Sequence, residues 1–190
     1  MKKLISAIAL AATAAATPAL ADDYQIDTKG AHASINFKIA HLGTSWLLGR
    51  FNTFSGDFSF DNDDPSAAKI ALEIDTASID SNHAERDKHL RSDEFLHVAK
   101  YPKATFVSTG YQDNGNGGGT LKGDLTLHGV TKNIEIDVEK VGEGADPWGG
   151  YRMGFAGTTE LKLKDFGINY NLGPASETVY MDLHIEGVRK

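Results

Sequence analysis

Hydrophobic residues recur at every second position over most of the chain. Ile35, Phe37 and Ile39, for example, alternate with polar residues. This period is typical of a β-strand that has one face in the core and the other in water. The same alternation recurs in seven further segments, at residues 54–60, 70–74, 103–110, 121–127, 134–138, 151–163 and 179–188. The sequence therefore predicts an all-β protein with eight strands.

The connections between these segments are mostly short. Residues 114–119 are rich in Asn and Gly, which adopt the positive φ angles that hairpin turns require, and residues 128–131 are a second predicted turn. The exception is the connection between the third and fourth strands, residues 81–100, in which residues 84–91 form a predicted helix capped by Ser81 or Asn82. Eight antiparallel strands of this kind can form a sandwich or close into a barrel.

Glycines on the predicted inner face favour the barrel. Gly56, Gly123 and Gly157 fall in phase with large apolar residues of the same strands. A packed sandwich core would fill such gaps, whereas a barrel with a ligand cavity leaves them open. The alternative, that these glycines mark bends or bulges of the strands, stays open at this point.

The first residues have the features of an export signal. Two lysines follow Met1, residues 4–16 are small or apolar, and Ala19 and Ala21 occupy the −3 and −1 positions of a cleavage site between Ala21 and Asp22. We therefore interpret residues 1–21 as a signal peptide and residues 22–190 as one domain. We expect a periplasmic protein without a permanent membrane anchor, which contacts a membrane at most transiently.

Composition removes several classes of function. The chain of 190 residues contains no cysteine and carries a net charge of −7, which excludes disulfides and thiolate metal sites and argues against nucleic acid as a partner. His83 and His89 are six positions apart and match no common metal-binding spacing. No nucleophile elbow or phosphate-binding glycine loop occurs. We expect no metal, no cofactor and no catalytic residue.

The apolar inner face is the first candidate for a binding site. A long apolar ligand requires a dry cavity lined by methyl groups and aromatic rings, because each buried CH₂ contributes about 0.8 kcal/mol. The alternative for each such residue is ordinary barrel core. The candidate lumen residues are Phe37, Ile39, Phe54, Phe58, Phe60, Leu72, Phe106, Leu125, Met153, Phe155 and Leu161.

Polar and aromatic residues near predicted turns are candidates for the cavity mouth. We place Trp46, in a segment 41–50 that we interpret as a turn, and Trp148 at a barrel mouth or on an interaction surface. His41, His83, Arg86 and Arg91 are candidates for contact with a ligand headgroup. Alternatively, the helix is a salt-linked lid, with Glu85–His89 and Asp87–Arg91 pairs along one face. The complete set of mouth candidates is His41, Trp46, His83, Arg86, Arg91 and Trp148.

Five segments, in this order along the chain, closely resemble the YceI family. They are NFKIAHLG at residues 36–43, SNHAERDKHL at 81–90, KYPKATF at 100–106, GDLTLHGVT at 123–131 and LKDFG at 163–167. The resemblance implies a lipocalin-like antiparallel barrel that binds a polyisoprenoid or an isoprenoid quinone in the periplasm. It does not indicate which residues contact the headgroup.

Two other functions stay open beside this one. An enzyme acting on an isoprenoid lipid would place His41 or His83 in the lumen beside a carboxylate. A structural or partner-binding barrel would have a filled interior without a continuous cavity. A homodimer is compatible with either edge or mouth surfaces, and no residue pattern fixes it.

Overall fold

A computed structural model describes residues 21–190 of the chain. The predicted signal peptide lies outside the described residues except for Ala21. Eleven strands form one antiparallel sheet in the described part of the chain. They are β1 (Asp22–Ile26), β2 (Ser34–His41), β3 (Ser45–Phe51), β4 (Phe54–Phe60), β5 (Lys69–Asp75), β6 (Ile79–Asp80), β7 (Lys103–Asp113), β8 (Gly118–Leu127), β9 (Val130–Ala145), β10 (Tyr151–Lys162) and β11 (Thr178–Arg189).

The sheet closes into a barrel of eight strand positions. β1 and β2 both pair with β11, so together they form one interrupted strand position. β3 and β4 likewise form one interrupted strand position, and so do β5 and β6, because β4 pairs with β5 and β3 pairs with β6. β7 to β11 follow in chain order, each antiparallel to the last. The prediction of an eight-stranded antiparallel barrel is confirmed.

The α-helix lies where the sequence predicts it, whereas the 3₁₀ turns were not predicted. One α-helix, α1 (Ala84–Leu90), lies between β6 and β7, and four short 3₁₀ turns lie in connections. The capping residue differs from the prediction: His83, not Ser81 or Asn82, precedes the helix, and its Nδ1 accepts a hydrogen bond from the Arg86 N–H. No helix among residues 21–190 is long and apolar enough to cross a membrane.

Three strands that the sequence analysis missed complete the barrel: β1, β3 and the two-residue β6. In β1, Tyr24 and Ile26 are buried and alternate with exposed polar residues, so the period-two signal is present but short. β3 falls in the segment 41–50 that we interpreted as a turn, and that interpretation is wrong for most of it. Its residues Trp46, Leu47 and Leu48 are all apolar. The strand therefore lacks the alternation that identified the others, because its outer face is also apolar.

The two ends of the barrel differ in what covers them. At one end lie helix α1, the β2–β3 turn and the β10–β11 connection, and we call it the helix end. There Ser176 Oγ donates a hydrogen bond to the Ala40 carbonyl, and His128 Nδ1 lies 3.1 Å from the Phe166 carbonyl oxygen. At the opposite end lie the turns between β7 and β8 and between β9 and β10. A buried cluster fills that end and consists of Tyr24, Ile26, Phe58, Phe60 and Met153.

Candidate functional site

A long cavity of about 410 Å³ runs through the barrel. Its wall includes Phe58 and Phe60 towards the opposite end and reaches Leu90 and Leu172 at the helix end. The volume lies within the range of about 300–1,000 Å³ that is usual for small-molecule sites. The interior of the barrel is therefore not completely filled by side chains.

The wall of this cavity corresponds closely to the predicted lumen. All the predicted lumen residues line it except Phe54 and Met153. Met153 is buried in the cluster at the opposite end, and Phe54 packs against that cluster from its edge. These two residues therefore belong to the packed core, the alternative that the sequence left open for each lumen candidate.

The sequence analysis missed two groups of wall residues. One group lies on strands and follows the same alternation as the predicted residues; it includes Ile136, Val138, Met181, Leu183 and Ile185. The other lies in irregular connections at the helix end, where no period identifies an inward residue. This second group includes Phe95, Leu96, Ile168 and Leu172.

Glycines let aromatic rings lie against the barrel wall. Gly49 is the direct partner of Phe37 on the neighbouring strand, and a Cβ at Gly49 would come within 3.0 Å of three atoms of the Phe37 ring. Phe106 covers Gly123 in the same way, so the predicted gap at Gly123 is filled by a ring. Gly157, by contrast, lines the cavity. The glycines thus shape the lumen partly by letting rings lie back from its axis.

Aromatic contacts form the floor of the cavity. Phe58 stacks on Tyr24 with ring centroids 4.8 Å apart, and Phe155 contacts the rings of both Phe58 and Phe60 at 5.7 and 5.2 Å. Edge-to-face and offset pairs of this kind favour one fixed arrangement of rings. The opposite end of the cavity is therefore rigid and apolar.

Arg86 is a charged group on this apolar wall. Its Nε donates to Ser81 Oγ at 2.7 Å, and a second guanidinium nitrogen donates to the Ser81 carbonyl. Asp87 accepts from the Ser81 N–H and hydroxyl, so the serine that holds Arg86 is itself held. No carboxylate among residues 21–190 lies within ion-pair distance of Arg86. Its positive charge is therefore available to an anionic group in the cavity.

Two histidines accompany Arg86 on the wall at the helix end. His41, the last residue of β2, lines the cavity there. His89 also lines it; its Nε2 lies 2.6 Å from Glu94 Oε2, and its ring packs edge-on against Phe95 and Tyr170. Polar groups also occur on the wall at Ser59, Lys69 and Thr159, but among residues 21–190 the arginine and the two histidines of the wall all lie at the helix end. We call this end the cavity mouth.

The other two polar mouth candidates have structural contacts instead. His83 caps α1 and is not part of the cavity wall. Arg91 donates from Nε and a terminal nitrogen to the carbonyls of Ala77 and Ile79, both at 2.7 Å. It therefore fastens the end of α1 to the barrel. The predicted Glu85–His89 and Asp87–Arg91 pairs do not form, since His89, Asp87 and Arg91 have the other partners described above.

The two tryptophans lie far apart in the fold. Trp46 points outwards from β3 beside the mouth, and its side chain is 55% exposed. Trp148 lies in the β9–β10 turn at the opposite end, is 79% exposed and has the Arg152 guanidinium 5.7 Å from its ring centre. Neither tryptophan is part of the cavity wall.

A polar cluster near the opposite end connects the segment between β1 and β2 to strands β10 and β11. Arg152 contacts Asp27, Asp146 and Glu186 at 2.7, 2.9 and 2.6 Å. The hydrogen bond from Arg152 lowers the pKa of Asp27 far below its ordinary range, helped by His32 and the Gly30 N–H. Asp27, His32 and Glu186 could approach one cation, but the guanidinium already occupies the centre of this group.

Carboxylates are missing from the cavity wall in the part of the chain that the structure describes. His41 lines the lumen, as the enzyme alternative requires, but no Asp or Glu lies beside it on that wall. The Glu94 that contacts His89 is about half exposed and lies outside the wall. Among residues 21–190, the carboxylate partner that the enzyme alternative requires is therefore not seen for His41, whereas His89 on the same wall has Glu94 beside it.

Comparisons with known proteins agree with this architecture. A UPF0312 protein of Shewanella baltica is 57% identical over 189 residues, which cover 100% of this chain and 99% of the relative. The crystal structure of the Campylobacter jejuni YCEI protein is similar with a TM-score of 0.72 and 31% identity, covering 80% of this chain and 90% of the other. A polyisoprenoid binding domain from Saccharophagus degradans shares the fold, with a TM-score of 0.64, 20% identity and coverage of 88% and 98%.

The match to a family extends over nearly the whole described chain. Residues 24–187 match the family described as YceI-like domain. This range includes the strands of the barrel, helix α1 and the three polar residues of the mouth. It also agrees with the resemblance noted from five segments of the sequence. The chain therefore belongs to the YceI-like domain family.

Proposed function

We propose that the protein binds a long-chain isoprenoid lipid, either a polyprenyl compound or an isoprenoid quinone, in the barrel lumen. The observation that carries this proposal is the continuous apolar cavity, closed by aromatic rings at one end and bearing Arg86, His41 and His89 at the other. Such a cavity separates a dry compartment for a tail from a polar end for a headgroup. The polyisoprenoid-binding domain with the same fold supports the same class of ligand.

The headgroup lies at the mouth in this proposal. Arg86 offers a guanidinium that has no carboxylate partner among the described residues, and His41 and His89 add ring nitrogens. A diphosphate would accept charge-assisted hydrogen bonds from Arg86. A quinone carbonyl would accept a hydrogen bond from either a charged or a neutral donor. His83 and Arg91 are left out of this role because their polar atoms already have structural partners.

The protein acts as a carrier or store rather than as an enzyme in this proposal, and it does so in the periplasm. The cavity wall has no carboxylate to pair with His41, which weakens the enzyme alternative. The cavity itself weakens the alternative of a filled structural barrel. The periplasmic location rests on the signal-like residues 1–21.

Filling the lumen tests the proposal. Leu183 lines the cavity on β11, and its neighbour His184 points outwards and is exposed. Leu183→Trp adds a large ring to the cavity, so we expect the binding of a polyprenyl lipid to fall by about tenfold or more. His184→Trp places the same ring outside the barrel and should leave binding unchanged.

The measurement is the fraction of protein that carries lipid, determined by native mass spectrometry after incubation with a polyprenol. The free energy of unfolding of both variants is measured in parallel to show that each is folded. Equal lipid loading in wild-type protein and folded Leu183→Trp would contradict binding in the lumen.

A further inference from the structure

The outer face of the β2–β3 hairpin is apolar at a place where a barrel strand normally meets water. Leu42, Trp46 and Leu48 are 71%, 55% and 66% exposed. Trp46 and Leu48 share the outward face of β3, while Leu47 between them lines the cavity. Singly exposed apolar residues are common, but three on one hairpin form a patch that marks an interaction surface.

The turn of this hairpin places a leucine where small polar residues are usual. The Thr44 N–H donates to the His41 carbonyl, and both central residues have positive φ, +52° at Leu42 and +74° at Gly43. Turns of this geometry favour Asn-Gly or Gly-Gly, since a branched side chain is disfavoured at positive φ. Here the strained position presents a large apolar side chain to the solvent at the tip of the hairpin.

Aromatic and cationic groups surround the patch. The Trp46 ring meets Tyr180 edge-on with centroids 5.5 Å apart, and Lys38 Nζ lies 5.1 Å from the Trp46 ring centre and 5.8 Å from that of Tyr180. Arg50 follows on the outward face of β3. Among residues 21–190, neither Lys38 nor Arg50 has a carboxylate within 4.0 Å. Trp, Tyr and Lys side chains with an apolar body and a polar tip are characteristic of the membrane–water interface.

The patch is continuous with the cavity mouth. His41 and Leu47 of the same hairpin lie on the wall of the cavity, so the hairpin presents one apolar face to the lumen and another to the outside. The edge of β3 also remains unpaired at residues 45–49 within the described chain, since β6 reaches only Arg50 and Phe51. The hairpin therefore projects beside the mouth with three apolar side chains at its outer surface.

The exposed apolar residues at the opposite end have a different electrostatic setting. Trp148 lies on Arg152, which is already surrounded by Asp27, Asp146 and Glu186. This group contains three carboxylates and one guanidinium, so its net charge is negative and an anionic lipid surface would repel it. At the mouth end, Lys38 has no carboxylate within 4.0 Å among the described residues, while Arg50 lies opposite Asp80 on β6. Lys38 is therefore the cation that makes this face suit such a surface.

We propose that the protein docks on the surface of an anionic phospholipid bilayer through the outer face of the β2–β3 hairpin, with Leu42, Trp46 and Leu48 inserted at the headgroup level. The biological purpose of this orientation rests on the proposed function. It brings the cavity mouth to the bilayer, so that an isoprenoid tail passes between the membrane and the lumen with little exposure to water. Three side chains bury a small area, so docking is weak and reversible.

The chain has only two tryptophans, which makes docking directly observable. Trp148→Phe leaves Trp46 as the single tryptophan. When vesicles of phosphatidylethanolamine and phosphatidylglycerol are added, we expect the Trp46 emission to shift to shorter wavelength and to be quenched by brominated acyl chains. The matched protein Trp46→Phe, which retains Trp148, should show neither change.

Three substitutions then test which side chains make the contact. Leu42→Ser and Leu48→Ser change exposed side chains that do not line the cavity, and in the Trp148→Phe background each should reduce vesicle binding by about tenfold. Lys38→Gln should reduce it by about fivefold on phosphatidylglycerol vesicles and leave it unchanged on phosphatidylcholine vesicles. An unchanged Trp46 spectrum with vesicles would overturn the proposal. So would a shift that appears without lipid as protein concentration rises, because it would assign the patch to a second copy of the chain.

The membrane-docking proposal and the lumen-binding proposal can be disproved independently of each other. Loading of the lumen is measured without membranes, by native mass spectrometry after incubation with farnesol in solution. A farnesol adduct together with an unresponsive Trp46 would overturn docking alone. A responsive Trp46 in a protein that takes up neither farnesol nor a polyprenol would uphold docking and contradict the proposed function.

Discussion

The hydrogen bonds that position the Arg86 side chain go to a single residue, Ser81. Ser81 is fixed in turn by Asp87. A cation on a largely apolar wall loses hydration, and an anionic ligand group would compensate for that loss. If the headgroup lies at the mouth as proposed, we expect the charge to favour a phosphorylated or otherwise anionic headgroup over an uncharged alcohol.

Replacing this charge should change headgroup selectivity. We expect Arg86→Gln to weaken the binding of a polyprenyl phosphate by about 10- to 100-fold, as for the loss of a charge-assisted hydrogen bond. The binding of the corresponding polyprenol should change by less than about threefold. The two dissociation constants, measured by competition in detergent-free buffer, check this prediction.

Lys88→Gln is the matched control, since Lys88 lies on the same helix and is not part of the cavity wall. It removes the same charge and should leave both constants unchanged. If Arg86→Gln weakens the phosphate and the alcohol equally, Arg86 acts on the shape of the mouth and the headgroup assignment is wrong.

At the scale of elements, glycines on one strand accommodate rings from its neighbour. A methyl group at Gly49 would collide with the ring of Phe37, which is buried in the cluster of the helix end with Ile79 and Phe95. The ring would have to turn towards the lumen. The space that the ligand is proposed to use and the stability of the β2–β3 hairpin therefore depend on the same residue.

Gly49→Ala should reduce the free energy of unfolding by about 1–3 kcal/mol, the usual cost of overpacking. It should also reduce the amount of lipid that the lumen holds. Gly142→Ala on β9 is the control, because no atom lies within 4 Å of a Cβ there, and its stability should change by less than about 0.5 kcal/mol. Urea unfolding of both variants decides the point; equal stability would mean that the Phe37 ring does not rest on Gly49.

The Asp27–Arg152 pair gives the barrel a pH-dependent stability. The folded-state pKa of Asp27 lies below its ordinary value of 3.8, chiefly through the hydrogen bond from Arg152. The stabilisation is therefore fully present above about pH 5 and is lost as the pH falls through 3.8 towards the folded-state value. It links the residues that follow β1 to β10 and, through Glu186, to β11.

Asp27→Asn should lower the free energy of unfolding by about 1–3 kcal/mol at pH 7, with the difference from wild type shrinking as the pH falls towards 2. Asp57→Asn, which breaks an exposed pair with Lys190, should cost less than about 1 kcal/mol at any pH. Urea titrations from pH 2 to pH 8 measure both differences. A difference for Asp27→Asn that is constant with pH would show that the ion pair is not its source.

Much of the barrel could be predicted from the sequence because most strands have one wet and one dry face. The strand at Phe54–Phe60 is such a case, and so is the wall position of Phe106 on β7. β3 could not be identified, since Trp46 and Leu48 make its outer face apolar as well. The contacts of Arg91 and His83 were equally hidden, because their partners are backbone groups that carry no residue signature.

For the whole molecule, closure of the barrel creates the enclosed apolar cavity on which the proposed function depends. Joining β1 and β2 to β11 removes the open sheet edges from most of the barrel and encloses an apolar volume of about 410 Å³. Among residues 21–190, the arginine and the two histidines of the wall lie at one end, and the apolar hairpin face lies at the same end. In the proposed binding and docking modes, the tail, the headgroup and the membrane would therefore occupy separate places along one axis of the molecule.

The most direct test of the central claim uses the protein as it is made. The full chain is expressed with its N-terminal residues in a bacterium, the periplasmic fraction is purified without detergent, and native mass spectrometry is followed by organic extraction and identification of any lipid. We predict a one-to-one adduct whose mass corresponds to an isoprenoid lipid and which is absent or diminished in Leu183→Trp. A protein that is recovered free of lipid and takes up neither polyprenols, polyprenyl phosphates nor isoprenoid quinones would contradict the account.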